Sequence, residues 1–262
     1  MKSAENSKFR RMVYAHFRKS WRDLPWRRTH DAYHILVSEV MLQQTQVDRV
    51  VPFYKNFLKK FPTVHALARA PLPDVLKAWQ GLGYNRRGKL LQETARAIVK
   101  EYGRKFPADA SQLEALPGIG PYTARAVLAF AFNQPVVFIE TNIRTVYLHH
   151  FFKNRSKVSD REILPYMVGT LDRKNPRRWY SALMDYGADL KKSGVRLNTK
   201  SAHYTRQSKF EGSQRQLRGK ILKMALENGK VDIKKLAKEM KKPPALVRAA
   251  AESLQKEGLL NL

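Results

Sequence analysis

The stretch from Leu113 to Val127, LEALPGIGPYTARAV, is the part of the chain that decides the fold. In it, Gly118 and Gly120 flank one apolar residue between two helical patterns, where glycine permits a tight turn. Pro121 suits the first turn of the second helix, whose unpaired N–H groups and positive dipole end then point outward. Such a turn can bind one phosphate, although an ordinary connection between two helices has the same spacing.

Helical patterns continue on both sides of this turn. Apolar residues recur at helical spacing in 35–51, 67–79, 90–99 and 122–132, and prolines fall between these segments or at their starts. No alternating apolar pattern is long enough for a substantial sheet. The sequence therefore predicts an all-α fold.

The chain changes character after residue 190. Residues 191–215 are mostly polar and basic, which is typical of a linker or an extended segment. Three short helical patterns follow from Arg218 and end in Gly258-Leu259-Leu260. This order suggests a small winged helix-turn-helix-like module, although no wing is recognisable in the sequence.

Composition points to a polyanionic partner. The chain of 262 residues has 50 Lys plus Arg against 22 Asp plus Glu, a formal charge of +28. This imbalance opposes compaction unless a polyanion offsets it, and nucleic acid fits better than a membrane because the longest apolar run, 127–132, is far too short to span one. The absence of cysteine excludes disulfides, thiolate zinc sites and iron–sulfur clusters, and no other metal site is expected. The polar start of the chain predicts an intracellular, cytoplasmic protein without a secretory signal.

Four blocks together resemble one family. Leu116-Pro117-Gly118-Ile119-Gly120 resembles the hairpin of the helix-hairpin-helix DNA glycosylases, and SEVMLQQTQV at 38–47 is similar to the signature of MutY-type adenine DNA glycosylases. Gly81-Leu82-Gly83-Tyr84 and Glu140-Thr141-Asn142-Ile143-Arg144 follow in the family's order. The resemblance covers about residues 9–190.

The resemblance implies an all-α, two-lobed helix-hairpin-helix glycosylase fold with the pocket between the lobes. Residues 1–28 plus 135–200 are expected to form one lobe, and 29–134 a six-helix lobe that contains the hairpin. A basic linker at 201–217 then leads to the winged-helix-like module at 218–262.

Two carboxylates can divide the chemistry of base release, one protonating the leaving base and one stabilising the cationic sugar. Glu39 is the expected acid, because its apolar helix should keep it protonated, whereas a lone glutamate is by default a surface residue. Glu140 stands where the family carries an aspartate at the sugar. It is one methylene longer, so a structural role as a helix cap or a salt bridge to Arg144 is the alternative. Asn142 resembles the residue that assists there.

Tyr122 stands where bifunctional relatives such as endonuclease III carry a Schiff-base lysine. A phenol cannot form that adduct, so the resemblance implies a monofunctional enzyme in which Tyr122 packs against the flipped nucleotide. A core tyrosine is the alternative.

Flipping a base leaves a hole in the duplex that a side chain must fill. Gln43 and Tyr84 match the family's intercalating residues, and the expected DNA-binding set also includes Leu42, Gly118, Gly120 and Arg144. The base pocket is expected to contain Trp26, Arg27 and Asp185, with a surface arginine and a helix-end aspartate as the alternatives for the last two.

The sequence also departs from the family. The four cluster cysteines that usually follow the Gly-Ala of the last block have no counterpart after Ala188, so no iron–sulfur cofactor is expected. The larger domain with which many bacterial members recognise 8-oxoguanine is absent from this sequence, and a modest preference for A:8-oxoG over A:G, roughly ten- to a hundredfold, is expected. The stretch 210–219, FEGSQRQLRG, is similar to a linker of shorter members.

The sequence therefore predicts a monofunctional, monomeric DNA glycosylase of base excision repair that removes adenine opposite 8-oxoguanine or guanine. Its partner would be double-stranded DNA, and its place the bacterial nucleoid. Two alternatives stay open: a thymine or uracil glycosylase acting at G mismatches, and a DNA-binding protein without activity.

Overall fold

The computed structural model describes residues 3–103, 105–195, 197–202, 204 and 209–260. Apart from one isolated bridge between Val158 and Ser201, these residues form helices and loops and contain no β-strand, which confirms the all-α prediction. None of the described helices is long and apolar enough to cross a membrane. The α-helices are α1 (Ser3–Ser20), α2 (Ala32–Leu42), α3 (Val47–Lys60), α4 (Val64–Arg69), α5 (Leu72–Trp79), α6 (Arg86–Glu101), α7 (Ala110–Glu114), α8 (Pro121–Phe132), α9 (Thr141–Phe151), α10 (Asp160–Thr170), α11 (Pro176–Lys192), α12 (Gln214–Asn228), α13 (Ile233–Met240) and α14 (Pro244–Lys256).

The described residues fall into two compact units. The first contains residues from 1–36, 108–114 and 119–206, and the second contains residues from 37–107, 115–118 and 207–262. The C-terminal helices therefore belong to the same unit as helices α3–α6.

The first unit is built around an aromatic core. The ring of Phe9 in α1 lies 5.6 Å from that of Tyr147 in α9 and 6.0 Å from that of Trp179 in α11. Helices α9 and α11 approach most closely at Gly187, where an added Cβ would lie only 2.2 Å from the backbone oxygen of Asn142. This close approach positions the start of α9, where two of the predicted site residues lie.

The second unit continues its core into the C-terminal helices. Leu76 of α5 is buried in one cluster with Leu217 and Ile221 of α12 and Leu254 of α14. Lys89 of α6 adds a hydrogen bond from its Nζ to a backbone oxygen in the turn after α14, at 2.5 Å. Burying these side chains together stabilises the C-terminal helices against the rest of the unit.

The C-terminal region has three helices, α12 to α14, and no strand is found among its described residues 214–260. Helix α12 begins at Gln214, inside the stretch expected as linker at 201–217. Residues 203 and 205–208 of that stretch lie outside the described residues.

Candidate active site

The glycine-rich turn is held on helix α6. Gly118 has φ +75°, in the left-handed region, and an added Cβ would lie 2.7 Å from the Cβ of Leu90. Thr94 donates a hydrogen bond from Oγ1 to the backbone oxygen of Pro117 at 2.6 Å. The positive φ and the contact with Leu90 require glycine at position 118, and the hydrogen bond from Thr94 holds the turn against α6.

Gly120 has a different environment. It is the N-cap of α8, Pro121 is the first helical residue, and an added Cβ at 120 would meet no atom within 4 Å. The open surface and the positive end of the helix dipole are the two properties that a phosphate contact needs. Phosphate binding by this turn stays a prediction.

Glu39 lies in the second half of α2 and is only 5% exposed. The neighbouring Leu36 and Val40 on the same helix are also buried. The structure therefore excludes the alternative of a surface glutamate. Leu42 is the last residue of α2, and the half-buried Gln43 follows it in the turn.

Arg87 joins the two loops that contain Gln43 and Tyr84. Its guanidinium donates hydrogen bonds to the backbone oxygens of Val40 (2.7 Å), Gln43 (2.6 Å) and Gly83 (3.1 Å). Burial lowers its pKa to about 10, and the charge strengthens each of these hydrogen bonds. The sequence gives no sign of this role, because one more arginine in so basic a chain indicates a solvated side chain.

Glu140 is the N-cap of α9. Its Oε1 accepts hydrogen bonds from the backbone N–H groups of Asn142 (2.7 Å) and Ile143 (2.8 Å), and its Oε2 accepts one from Nδ2 of Asn142 at 3.3 Å. The capping role weighed as an alternative is thus present. It also fixes the rotamer of the carboxylate, which a catalytic role requires as well.

Lys191 in α11 completes this group. Its Nζ donates a hydrogen bond to Oδ1 of Asn142 at 2.6 Å. Burial lowers the pKa of Lys191, while the nearby charge of Glu140 acts in the opposite direction. The amide of Asn142 is therefore oriented from both ends, by Glu140 and by Lys191.

Arg144 pairs with a different carboxylate from the one considered in the sequence. Its Nε and Nη2 donate to Oδ1 and Oδ2 of Asp160, each at 2.7 Å. The salt bridge to Glu140 is therefore replaced by a bidentate pair between α9 and the first turn of α10. Direct contact of Arg144 with DNA stays a prediction.

Asp185 and Arg27 form a buried ion pair. Asp185 is fully buried and accepts hydrogen bonds from Nη1 (2.7 Å) and Nη2 (2.8 Å) of Arg27 and from Nε of Arg22 (2.5 Å). Neither alternative weighed for them, a surface arginine or a helix-end aspartate, is what the structure shows. The pair anchors the short 3₁₀ helix Pro25–Arg27, which contains the half-buried Trp26.

Tyr122 is the second residue of α8 and is partly buried against the aromatic core. Its ring lies 5.7 Å from that of Phe138 in an edge-to-face arrangement. Because Tyr122 is neither fully buried nor fully exposed, both roles considered for it stay compatible with its position.

The predicted site residues are distributed over both units. The first unit contains Trp26, Arg27, Gly120, Tyr122, Glu140, Asn142, Arg144 and Asp185, and the second contains Glu39, Leu42, Gln43, Tyr84 and Gly118. Within the first unit the structure brings together Glu140 with Asn142 and Arg27 with Asp185. Within the second, Arg87 brings the loops of Gln43 and Tyr84 together.

The segment after Ala188 does not fit an iron–sulfur cluster. Helix α11 continues to Lys192, and no residue of the chain supplies a thiolate. Two backbone hydrogen bonds hold the segment instead, from Val158 N to Lys200 O (2.9 Å) and from Ala202 N to Val158 O (3.0 Å). Among the described residues, no group of three or more His, Asp or Glu side chains is arranged to hold a metal ion.

Comparison with known proteins shows the family to which the chain belongs. Residues 37–164 match the model of the HhH-GPD superfamily base excision DNA repair proteins. The chain is 38% identical over 218 residues to the adenine DNA glycosylase of Mycolicibacterium smegmatis, a match that covers 77% of this chain and 74% of the relative. It is 46% identical over 135 residues to the adenine DNA glycosylase of Mycobacterium tuberculosis, which covers 51% of this chain and 44% of that protein.

A solved structure has a similar fold. A thermostable thymine-DNA glycosylase superposes with a TM-score of 0.63 at 25% sequence identity, covering 77% of this chain and 97% of that one. The family matches and this fold agree with the two-lobed glycosylase architecture that the sequence predicts.

Proposed function

The chain belongs to the HhH-GPD superfamily of base excision DNA repair proteins, among its adenine DNA glycosylases, and we propose that it removes adenine mispaired with 8-oxoguanine or guanine in double-stranded DNA. The observation that carries the proposal is the buried carboxyl of Glu39, 5% exposed in helix α2, within a chain that is 38% identical to an adenine glycosylase. A buried carboxyl is the group that protonation of a leaving purine needs.

In the proposed reaction, Glu39 gives its proton to a ring nitrogen of adenine. The bond between the base and the sugar C1′ then breaks, and the electron pair leaves with the base. The positive charge that develops on the sugar is stabilised by the carboxylate of Glu140, whose rotamer is fixed by the N–H groups at the start of α9. Water adds to C1′ and releases one proton, which leaves an intact abasic site.

The product distinguishes this monofunctional reaction from a lyase reaction. Tyr122, at the start of α8, supplies a phenol and no amine, so no Schiff base can form there. We therefore expect the DNA strand to break only after the abasic site is treated with alkali.

Replacing Glu39 with glutamine tests the proposal. The change removes a proton donor while keeping the size of the side chain, so adenine release in single turnover should fall by at least about a hundredfold while DNA affinity is retained. Glu101→Gln, at an exposed position at the end of α6, makes the same substitution outside the site and serves as the control. Duplexes with A:8-oxoG, A:G, T:G and U:G pairs should be compared at fixed salt. If Glu39→Gln releases adenine at a rate within tenfold of the wild-type rate, Glu39 is not the acid.

Thymine excision at G mismatches is the second candidate. It is favoured by the similarity of fold to the thermostable thymine-DNA glycosylase over 97% of that chain. Removal of a pyrimidine depends less on an acid at the position of Glu39. The same assay decides between them, because faster release from T:G or U:G than from either adenine mispair selects this candidate.

Oligomeric state, cellular location and cofactor are also part of the proposed function. We propose that it acts as a monomer on the DNA of the nucleoid, where a formal charge of +28 favours association with the phosphate backbone. We also propose that it needs no iron–sulfur cluster, since two backbone hydrogen bonds to Val158 hold the segment after α11.

A further inference from the structure

A pocket in the second unit is lined by the loops of Gln43 and Tyr84 and by the C-terminal helices. Its volume is about 390 Å³, and its lining includes Arg87 from α6 and Arg215 and Arg218 from α12. This volume is within the range typical of ligand-binding pockets, roughly 300–1,000 Å³. The C-terminal module therefore contributes directly to the surface beside the two residues that resemble the intercalating pair.

Two guanidinium groups lie over the ring of Tyr84. The Cζ of Arg87 is 5.6 Å from the centre of its ring, and the Cζ of Arg215 is 5.5 Å from the same centre. Arg215 also donates a hydrogen bond from Nη1 to the hydroxyl of Tyr84 at 3.1 Å. Tyr84 itself has φ +49°, in the left-handed region, so these contacts stabilise a backbone conformation that tyrosine rarely adopts.

The start of α12 holds Arg215 in place. Ser213 is the N-cap and accepts a hydrogen bond from the backbone N–H of Gln216, whose side chain accepts one from the N–H of Gly212 at 2.7 Å. Gln216 also donates to the carboxylate of Glu211 at 2.9 Å. In the sequence, residues 210–219 resemble a linker. In the structure they contain the N-cap and the first turn of α12, from which Arg215 contacts Tyr84.

The pocket has the chemistry of a nucleotide site. Among the described residues, those lining it include four arginines and no carboxylate. One of these arginines, Arg218, donates a hydrogen bond to Glu257 at 2.8 Å. Guanidinium groups bind the O6 and N7 acceptors of guanine, and their planes stack on bases. In 8-oxoguanine N7 carries a hydrogen, so the acceptors on this edge are O6 and O8. A guanine-type base of the strand opposite the flipped nucleotide matches these groups.

We propose that Arg215 is a specificity-determining residue that positions Tyr84 and binds the guanine or 8-oxoguanine opposite the excised base. This inference rests on the proposed function, and it assigns to the C-terminal module a direct part in recognising the mispair.

Binding to product-like duplexes tests the inference without the need for catalysis. The duplexes contain a tetrahydrofuran abasic analogue opposite 8-oxoguanine, guanine or thymine, and affinity is measured by fluorescence anisotropy at fixed salt. Arg215→Gln should weaken binding to the first two by about tenfold more than to the thymine duplex, since a guanidinium–guanine contact is lost. Arg215→Lys should recover only part of the preference, because lysine keeps the charge but not the planar fork.

Lys220→Gln is the matched control. It removes one positive charge from the same helix, but Lys220 pairs with Glu239 and does not line the pocket. It should lower affinity for all three duplexes equally, through the phosphate backbone alone. An Arg215→Gln variant that behaves in the same way would overturn the inference. If the wild type prefers the guanine duplexes through Arg215 but releases no adenine from any mispair, the inference holds and the proposed function fails.

Discussion

Replacing Gly187 with alanine should separate helices α9 and α11. The added Cβ would lie 2.2 Å from the backbone oxygen of Asn142 and 2.6 Å from its carbonyl carbon, whereas ordinary contact begins at 3.4 Å. Because the obstructing atoms are backbone, no side-chain rotation relieves the clash. The helices must therefore move apart by about 1.2 Å at this point.

This displacement acts on both stability and chemistry. Overpacking in a well-packed core costs about 1–3 kcal/mol, and we expect a loss near the upper end because backbone must move. The displaced backbone belongs to Asn142, whose side chain joins Glu140 and Lys191. A misplacement of roughly 1 Å can lower a rate about a hundredfold, and we expect a loss of that size in adenine release.

Urea unfolding followed by far-UV circular dichroism and single-turnover excision measure the two effects. The control is Gly219→Ala in α12, where an added Cβ meets no atom within 4 Å. That change should stabilise the protein by about 0.5–1 kcal/mol, because glycine is a poor residue inside a helix. A Gly187→Ala variant as stable and as active as the Gly219→Ala variant would show that the close approach of α9 and α11 is not constrained as described.

Two further predictions follow from the first unit. Glu140→Gln should lose more activity than Glu140→Asp in single-turnover excision, because only the second keeps a carboxylate for the sugar, and equal small losses would leave Glu140 a helix cap alone. Burial, followed by the charges of His149 and Lys153, lowers the pKa of His150 to about 4. Between about pH 6.5 and pH 4, His150 is therefore protonated in the unfolded chain and neutral in the folded chain. Stability should therefore fall by about 1–2 kcal/mol between pH 6.5 and pH 4 after allowance for solvent screening. Urea titrations should show a smaller fall in His150→Gln and an unchanged one in the exposed His30→Gln, and identical pH profiles for all three proteins would contradict the assignment.

Local sequence patterns determined the helical architecture and several site positions. The LPGIG turn required glycine at 118, as the left-handed φ and the contact with Leu90 show, because turn geometry depends on neighbouring residues. Apolar periodicity likewise indicated helix α2, whereas the buried position of Glu39 was expected from the resemblance of residues 38–47 to the family signature. The lack of cysteine excluded a thiolate cluster without any structure.

Partners distant in the sequence were decided only by the tertiary structure. Arg27 pairs with Asp185, which is 158 residues away in the sequence. Lys191 donates a hydrogen bond to Asn142, which is 49 residues away. In a chain with 50 Lys and Arg, no local pattern distinguishes Lys191, Arg87 or Arg215 from solvated side chains. Leu76 and Leu217 are buried in one core, and this makes the C-terminal module part of the second unit. The apolar pattern of each helix shows that it has a face to bury, but not which other face it packs against.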